Sequence, residues 1–162
     1  MYQKINLKEK IPTLIFFIIL LTTIQAQNKN NVYLELLGNG GVYSINYERN
    51  IFDSFNARIG FMYTSEEDEH ISTIPFLINY HLITSKYNYI EIGLGFTYIS
   101  GKLDIFWRND LEVSETLLTG SIGYCINPND ALNFRLAFTP FYDKYNGGKV
   151  VPFGGISVGY KF

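Results

Sequence analysis

Cysteine and long apolar runs are both scarce in this chain of 162 residues, and each shortage excludes a class of protein. Cys125 is the only cysteine, so an internal disulfide and a metal site built from several thiolates are both excluded. After residue 27 no apolar run approaches the roughly 20 residues that a membrane-spanning helix needs. The sequence therefore does not predict a disulfide-stabilised domain or a helical membrane protein.

The N-terminal segment differs in composition from the rest of the chain. It has basic residues at Lys4, Lys8 and Lys10, an apolar run over 11–24, and the small residue Ala26 after that run. This order is typical of a cleavable secretory signal peptide. A retained membrane anchor is the alternative, but the run is shorter than the roughly 20 residues of a spanning helix. We predict a signal peptide over 1–26 and one exported domain over 27–162.

Positive charge is also scarce in the exported domain. The whole chain has 13 basic and 15 acidic residues. Removing Lys4, Lys8, Lys10 and Glu9 leaves 10 basic and 14 acidic residues, a net charge of −4. This balance gives no reason to expect a nucleic-acid partner.

What the chain does contain is tyrosine and phenylalanine, 13 of each, in strictly alternating segments. The segment 156–162 reads Ile-Ser-Val-Gly-Tyr-Lys-Phe, so that every second residue is large and apolar. A period of two residues predicts a β-strand with one apolar face and one small or polar face.

Eight such segments can be recognised, most of them close to the roughly 9–11 residues of a tilted spanning strand. The predicted strands are 31–38, 42–50, 55–65, 72–82, 88–99, 115–126, 131–142 and 151–162. Short turns rich in turn-forming residues alternate with longer polar loops, except at the tight hairpin 38–41. We predict an all-β, eight-stranded antiparallel up-and-down barrel with both ends of the domain on one side.

The apolar face is predicted to lie outside the barrel. The interior of an eight-stranded barrel is just wide enough for side chains to fill it, so it cannot hold more than two dozen large apolar residues. The small and polar face does fit inside, and the surroundings of the apolar face must then be lipid. Tyrosines occur at both ends of this face, as expected for two aromatic girdles. The girdle tyrosines are Tyr43, Tyr63, Tyr98 and Tyr142 at the loop side, and Tyr47, Tyr80, Tyr124 and Tyr160 at the turn side.

The terminal strand, with Tyr160 and Phe162 on its apolar face, resembles the closing strand of bacterial outer-membrane β-barrels. The resemblance implies that these two residues serve as the signal read by the barrel assembly machinery. The whole exported domain resembles small barrels of the OmpA/OmpX type, and its opening hairpin over 35–49 is similar to uncharacterised barrels from Bacteroidota. The resemblance to these barrels implies export to the bacterial outer membrane, with lipid and lipopolysaccharide as neighbours.

Five charged residues have inward parity and are predicted to form one layer in the half of the lumen nearest the short turns. They are Glu35, Glu48, Arg58, Glu91 and Arg135. Three carboxylates and two guanidiniums in a narrow bore must pair, because an isolated buried charge is very costly. His81 and Lys161 are placed nearer the rim. We expect this layer to close the barrel rather than to catalyse a reaction.

An enzymatic alternative depends on His70 and Ser72. Lipid A deacylases of this shape use a lipid-facing His and Ser two residues apart near the outer rim, and His70 and Ser72 have that spacing and outward parity. Glu67 or Glu69 could orient the histidine. A short His-x-Ser pattern more often marks the end of a solvated loop and the start of a strand. A narrow pore is the third possible function.

Two polar loops are candidate contact surfaces. The acidic run over 66–69 could bind divalent cations, although such a run is more often a solvated loop. The loop over 101–114 contains Phe106, Trp107 and Arg108, a combination that suits contact with a protein partner but could equally pack on the rim. No cofactor and no metal site is expected. The sequence thus favours a non-enzymatic barrel that acts through its outer loops in envelope integrity or partner interaction.

Overall fold

The computed structural model describes residues 29–52, 54–66, 69–83, 85, 87–105, 108–144 and 147–162. The predicted signal peptide lies outside these residues. Ten strands follow one another along the described part of the chain. They are β1 (Asn30–Leu37), β2 (Tyr43–Phe52), β3 (Phe55–Glu66), β4 (Glu69–Ile83), β5 (Asn88–Ile105), β6 (Arg108–Ile126), β7 (Leu132–Phe138), β8 (Phe141–Asp143), β9 (Lys149–Val151) and β10 (Gly154–Lys161).

These strands form one closed antiparallel barrel with eight strand positions. Each strand from β1 to β6 pairs with the next along the chain, and β10 closes the ring by pairing with both β7 and β1. The pairs β7–β8 and β9–β10 each occupy one position, interrupted at Pro140 and Pro152. Proline cannot donate to the ladder, so strands commonly break beside it. The predicted eight-stranded barrel is confirmed.

The assignment of the two faces is also confirmed. Burial alternates residue by residue along the strands, as in β7, where each buried side chain is flanked by exposed ones. Leucine, isoleucine and phenylalanine side chains of the apolar face are exposed, whereas polar residues such as Asn46 and Thr97 are almost completely buried. An exterior this apolar is compatible with lipid and not with water. Among the residues that the structure describes, no helix is long and apolar enough to cross a membrane.

The prediction that residues 101–114 form a polar loop is wrong for most of that range. β5 continues to Ile105 and β6 begins at Arg108, and the two strands remain paired from Tyr98 with Thr116 to Leu103 with Leu111. The ladder therefore extends beyond the point where β6 leaves β8, at Leu118. Phe106 and Trp107 lie outside the described residues, as do the side chains of 102–113.

Candidate functional site

The five charged residues predicted to face inward are all buried in the barrel interior. Arg58 and Glu91 are 0% exposed, and Glu35, Glu48 and Arg135 are at most 3% exposed. Their neighbours in sequence, such as Leu34 and Ile92, point outward and are exposed. The two-residue period of the strands explains this arrangement, because side chains of one parity share one face.

One group within the layer is centred on Arg58. Arg58 Nη2 forms an ion pair with Glu35 Oε2, and both side chains are almost fully buried. Arg58 Nε also donates to Asn46 Oδ1 at 3.2 Å. The buried charge of Glu35 is thus compensated by a charge-assisted hydrogen bond, as burial in a poorly solvated interior requires.

A second group is centred on Arg135. Its Nη2 atom lies 2.7 Å from Glu48 Oε2 and 3.2 Å from Glu91 Oε2, so that one guanidinium bridges two carboxylates. Nη1 of the same guanidinium donates to the Tyr33 hydroxyl at 2.7 Å. Arg135 therefore connects strands β7, β2, β5 and β1 across the lumen.

Tyr33 connects the two groups and is missing from the sequence prediction. Its ring lies between both guanidiniums, with Arg135 Cζ at 4.7 Å and Arg58 Cζ at 5.4 Å from the ring centroid. A desolvated cation over an aromatic ring is stabilised by the ring quadrupole. The signal that could have found Tyr33 is its parity, which is that of Glu35 on the same strand.

His81 belongs to the charged layer rather than to the rim where the sequence analysis placed it. Its Nε2 atom lies 3.1 Å from Glu91 Oε2 and contacts the Asn56 side-chain amide. Asn56 Nδ2 in turn donates to Glu91 Oε2 at 3.3 Å. Lys161 lies beside this group at the turn-side end, where its ammonium donates to Asn127 Oδ1 at 2.9 Å.

The outer half of the lumen, towards the longer loops, is occupied by the turn between β1 and β2. Asn39 at the tip of this turn is 0% exposed. Its Nδ2 atom donates to Thr119 Oγ1 and to the Gly120 carbonyl at 3.0 Å, while Thr97 Oγ1 donates to the Asn39 carbonyl at 3.0 Å. The turn between 37 and 43 is therefore folded into the barrel, and its polar groups bond to the opposite wall.

Glycine permits this inward turn. Gly38 and Gly41 have φ values of 92° and 98°, in the left-handed region that glycine adopts at little cost. At Gly40 a Cβ atom would lie 2.4 Å from the Ser44 side chain. The run Gly38-Asn39-Gly40-Gly41 thus forms a turn that packs closely against the barrel interior.

The structure gives no support to the alternative catalytic pair. His70 is exposed at the outer end of β4, and Ser72 Oγ donates to the Ser100 carbonyl at 3.2 Å. Within the described part of the chain, no hydrogen bond joins the His70 ring to Ser72. Glu67 and the side chain of Glu69 lie outside the described residues, as does the acidic run over 66–69 apart from its backbone pairing.

The predicted girdle tyrosines lie on the outer surface at the two ends of the barrel wall. All are exposed except Tyr47, which is half-buried and donates to Asn30 Oδ1 at 2.8 Å. At the loop side, the Tyr98 hydroxyl lies 3.0 Å from Ser114 Oγ. Polar tips on apolar rings suit the boundary between lipid and water.

Tyr160 and Phe162 lie at the seam where β10 meets β1. Phe162 N–H donates to the Asn30 carbonyl at 2.9 Å, and Asn30 N–H donates back at 3.1 Å. Tyr160 pairs with Val32 one step along the same seam. These two residues therefore take part in closing the barrel at its turn-side end.

A closed eight-position barrel with an apolar exterior and a charged, hydrogen-bonded interior defines a transmembrane β-barrel. The crystal structure of the N-terminal β-barrel domain of Pseudomonas aeruginosa OprF has a similar architecture, with a TM-score of 0.68 at 14% identity. The similarity covers 85% of this chain and 100% of that one.

Two further solved structures have the same fold. Ail, the attachment invasion locus protein of Yersinia pestis, is similar with a TM-score of 0.52 at 15% identity, covering 82% of this chain and 95% of that one. A de novo designed transmembrane β-barrel is similar with a TM-score of 0.57 at 11% identity, covering 85% and 98%. No protein-family model and no curated protein matches the sequence. The chain has the fold of the eight-stranded outer-membrane barrels.

Proposed function

We propose that this chain is a non-enzymatic outer-membrane barrel with a closed lumen, which acts through its outer extensions in envelope integrity or in contact with a partner. The observation that carries the proposal is the filling of the lumen at two levels. The turn around Asn39 occupies the outer half, and the layer around Arg58 and Arg135 occupies the other half. A bore filled by bonded side chains leaves no continuous aqueous path.

Conductance distinguishes the closed barrel from the narrow pore. We expect the purified wild-type protein in planar lipid bilayers at neutral pH to show no stable conductance. A double substitution of Asn39 and Thr119 by alanine should leave the charged layer closed and the bilayer silent. A reproducible open channel in the wild-type protein would contradict the closed lumen and favour the pore.

The outer extension of β5 and β6 is the proposed contact surface. These strands pair with one another from Tyr98 with Thr116 to Leu103 with Leu111, a length of about 17 Å at ~3.3 Å per residue, and β4 pairs with β5 as far as His70 with Lys102. A paired extension holds its backbone in a more defined arrangement than a free loop does, which lowers the entropy lost on binding. We propose that the partner is lipopolysaccharide or an unknown protein that contacts residues 101–114.

The similar barrel of Ail has also been solved in complex with the heparin analogue sucrose octasulfate, a ligand of high negative charge. That property belongs to Ail, and the net charge of −4 calculated for residues 27–162 does not favour such a ligand here. A photo-cross-linking residue at Val150, which is 63% exposed on β9 and separated from β6 by β8, would capture molecules at this end of the barrel. Cross-links to lipopolysaccharide or to one protein species would support the proposal, and their absence in intact cells would contradict it.

Assembly by the barrel assembly machinery is proposed to depend on Phe162. Deleting Phe162 removes both backbone hydrogen bonds with Asn30 at the seam and the aromatic ring itself. We expect the deletion variant to accumulate in the periplasm or to be degraded. Fractionation and the difference in gel mobility between heated and unheated samples measure this. Normal amounts of folded variant in the membrane fraction would contradict the proposal, and Phe162→Tyr provides the matched aromatic control.

A further inference from the structure

Three side chains that commonly bind metals meet at the turn-side end of the lumen. Glu48 on β2, His81 on β4 and Glu91 on β5 each offer one ligand atom, and these atoms all lie within 4.8 Å of one another. Strand register explains half of this convergence, because His81 and Glu91 are directly paired on neighbouring strands and share inward parity. Three strands of a rigid wall thus present two carboxylates and an imidazole to one point.

Two buried oxygen atoms beside this point have no hydrogen-bond partner among the described residues. They are Glu91 Oε1 and Asn56 Oδ1, both on side chains that are 0% exposed. The other carboxylate oxygen of Glu91 already interacts with Arg135 at 3.2 Å and with His81 at 3.1 Å. A buried acceptor without a donor is costly, and a bound cation would satisfy it.

The local charge is nearly balanced, because the Lys161 ammonium beside the layer interacts with Glu48 and Glu91. The buried layer holds three carboxylates and two guanidiniums, one net negative charge when His81 is neutral. Arg135 Nη2 faces the Oε2 atoms of Glu48 and Glu91, so Glu91 Oε1 is the carboxylate oxygen left without a partner. A metal bound to His81 Nε2 would replace the contacts of that atom with Asn56 and Glu91 Oε2. Lys161 directs its ammonium to Asn127 Oδ1.

We infer that Glu48, His81 and Glu91 form a binding site for a divalent transition-metal ion at the turn-side mouth of the barrel. Asn56 becomes an additional oxygen ligand once its amide rotates so that Oδ1 replaces Nδ2 beside His81 and Glu91. An imidazole among carboxylates favours Zn²⁺ over Mg²⁺ or Ca²⁺, which prefer oxygen ligands alone. His81 is 13% exposed in its side chain, which gives the ion a path from the adjacent mouth. The sequence analysis expected no metal site.

The chain offers a matched control, because it contains only two histidines. His70 lies at the opposite end of β4 and is exposed. We expect the refolded wild-type protein and His70→Ala to bind Zn²⁺ with the same affinity in isothermal titration with zinc chloride in detergent. His81→Gln should weaken binding by more than about tenfold, the loss typical even of groups that only support a metal ligand.

A second measurement locates the ion and controls for folding. In NMR spectra of the imidazole nitrogens, zinc chloride should shift the His81 signals and leave those of His70 unchanged, while magnesium chloride shifts neither. Heat-dependent gel mobility establishes whether each variant is folded, and Asn56→Ala replaces His81→Gln if the latter fails to fold. Zinc affinity that is equal in wild type and both variants, or absent in wild type, would overturn the inference.

Discussion

Replacing Arg135 by alanine is expected to lower the free energy of unfolding by about 3–5 kcal/mol, the cost of leaving buried charges without a partner. Arg135 Nη2 interacts with both Glu48 and Glu91, and Nη1 donates to Tyr33. The alanine variant would leave two carboxylates in a poorly solvated lumen, where Glu91 keeps its contacts with His81 and Asn56 but loses its guanidinium. No rearrangement of the short side chain can restore these contacts.

The measurement is urea unfolding of the protein refolded into lipid vesicles or detergent. Arg49→Ala is the matched control, because Arg49 lies on β2 with an exposed side chain and should change stability by no more than about 0.5 kcal/mol. Adding Glu91→Gln to Arg135→Ala should recover part of the loss, since one stranded charge is removed. A loss below about 1 kcal/mol for Arg135→Ala would show that water reaches the layer and screens it.

The alternation of residue types was sufficient to predict the barrel and both of its faces. A strand exchanges its faces if the pattern slips by one residue, so a continuous pattern such as Ile90, Ile92, Leu94 and Phe96 specifies the side that faces lipid. The inward positions of Glu35, Arg58 and Arg135 follow from the same rule. The inward or outward direction of a side chain can be assigned from its parity in the strand, without knowing which strands pair.

The contacts between inward residues could not be predicted in the same way, because they depend on register around the barrel. Tyr33 was overlooked because an aromatic residue is commonly assigned to the lipid face, although its parity is inward. His81 was assigned to the rim from its position in the strand, yet its ring reaches Glu91. A side chain such as histidine or tyrosine extends about 6 Å, which is comparable to the distance between successive inward-facing residues of one strand. Its position in the strand therefore does not decide which layer its tip reaches.

Loops and strand ends were the least predictable features. Residues 102–104 contain two charged side chains, which favours a solvated loop, but the ladder of β5 and β6 continues through them. The turn after β1 was predicted to be a tight hairpin. Its insertion into the lumen depends on Thr97 and Thr119, which are distant in sequence. Hydrogen bonds across the barrel, rather than local preference, decide the path of this turn.

Replacing Leu94 by arginine is expected to cost about 2–4 kcal/mol, the penalty for a cation on the lipid face near the middle of a bilayer. Leu94 is 65% exposed on β5. It lies halfway between Ile90, which pairs with Tyr124 of one girdle, and Tyr98 of the other. An arginine here lies four residues from either girdle, about 13 Å at ~3.3 Å per residue, which is farther than its side chain can extend to reach a polar interface.

Val42 provides a control of the same exposure at a different depth. It is also 65% exposed, but it lies beside Tyr43 at the loop-side end of β2. Val42→Arg should therefore cost only about 0–1 kcal/mol, because its charge reaches the interface directly. Urea unfolding in vesicles measures the free energy of unfolding of both variants. Because the two positions are equally exposed, the difference between their costs reports the effect of depth in the bilayer. Equal costs for Leu94→Arg and Val42→Arg would mean that the apolar exterior does not lie in a bilayer, which would contradict the membrane assignment itself.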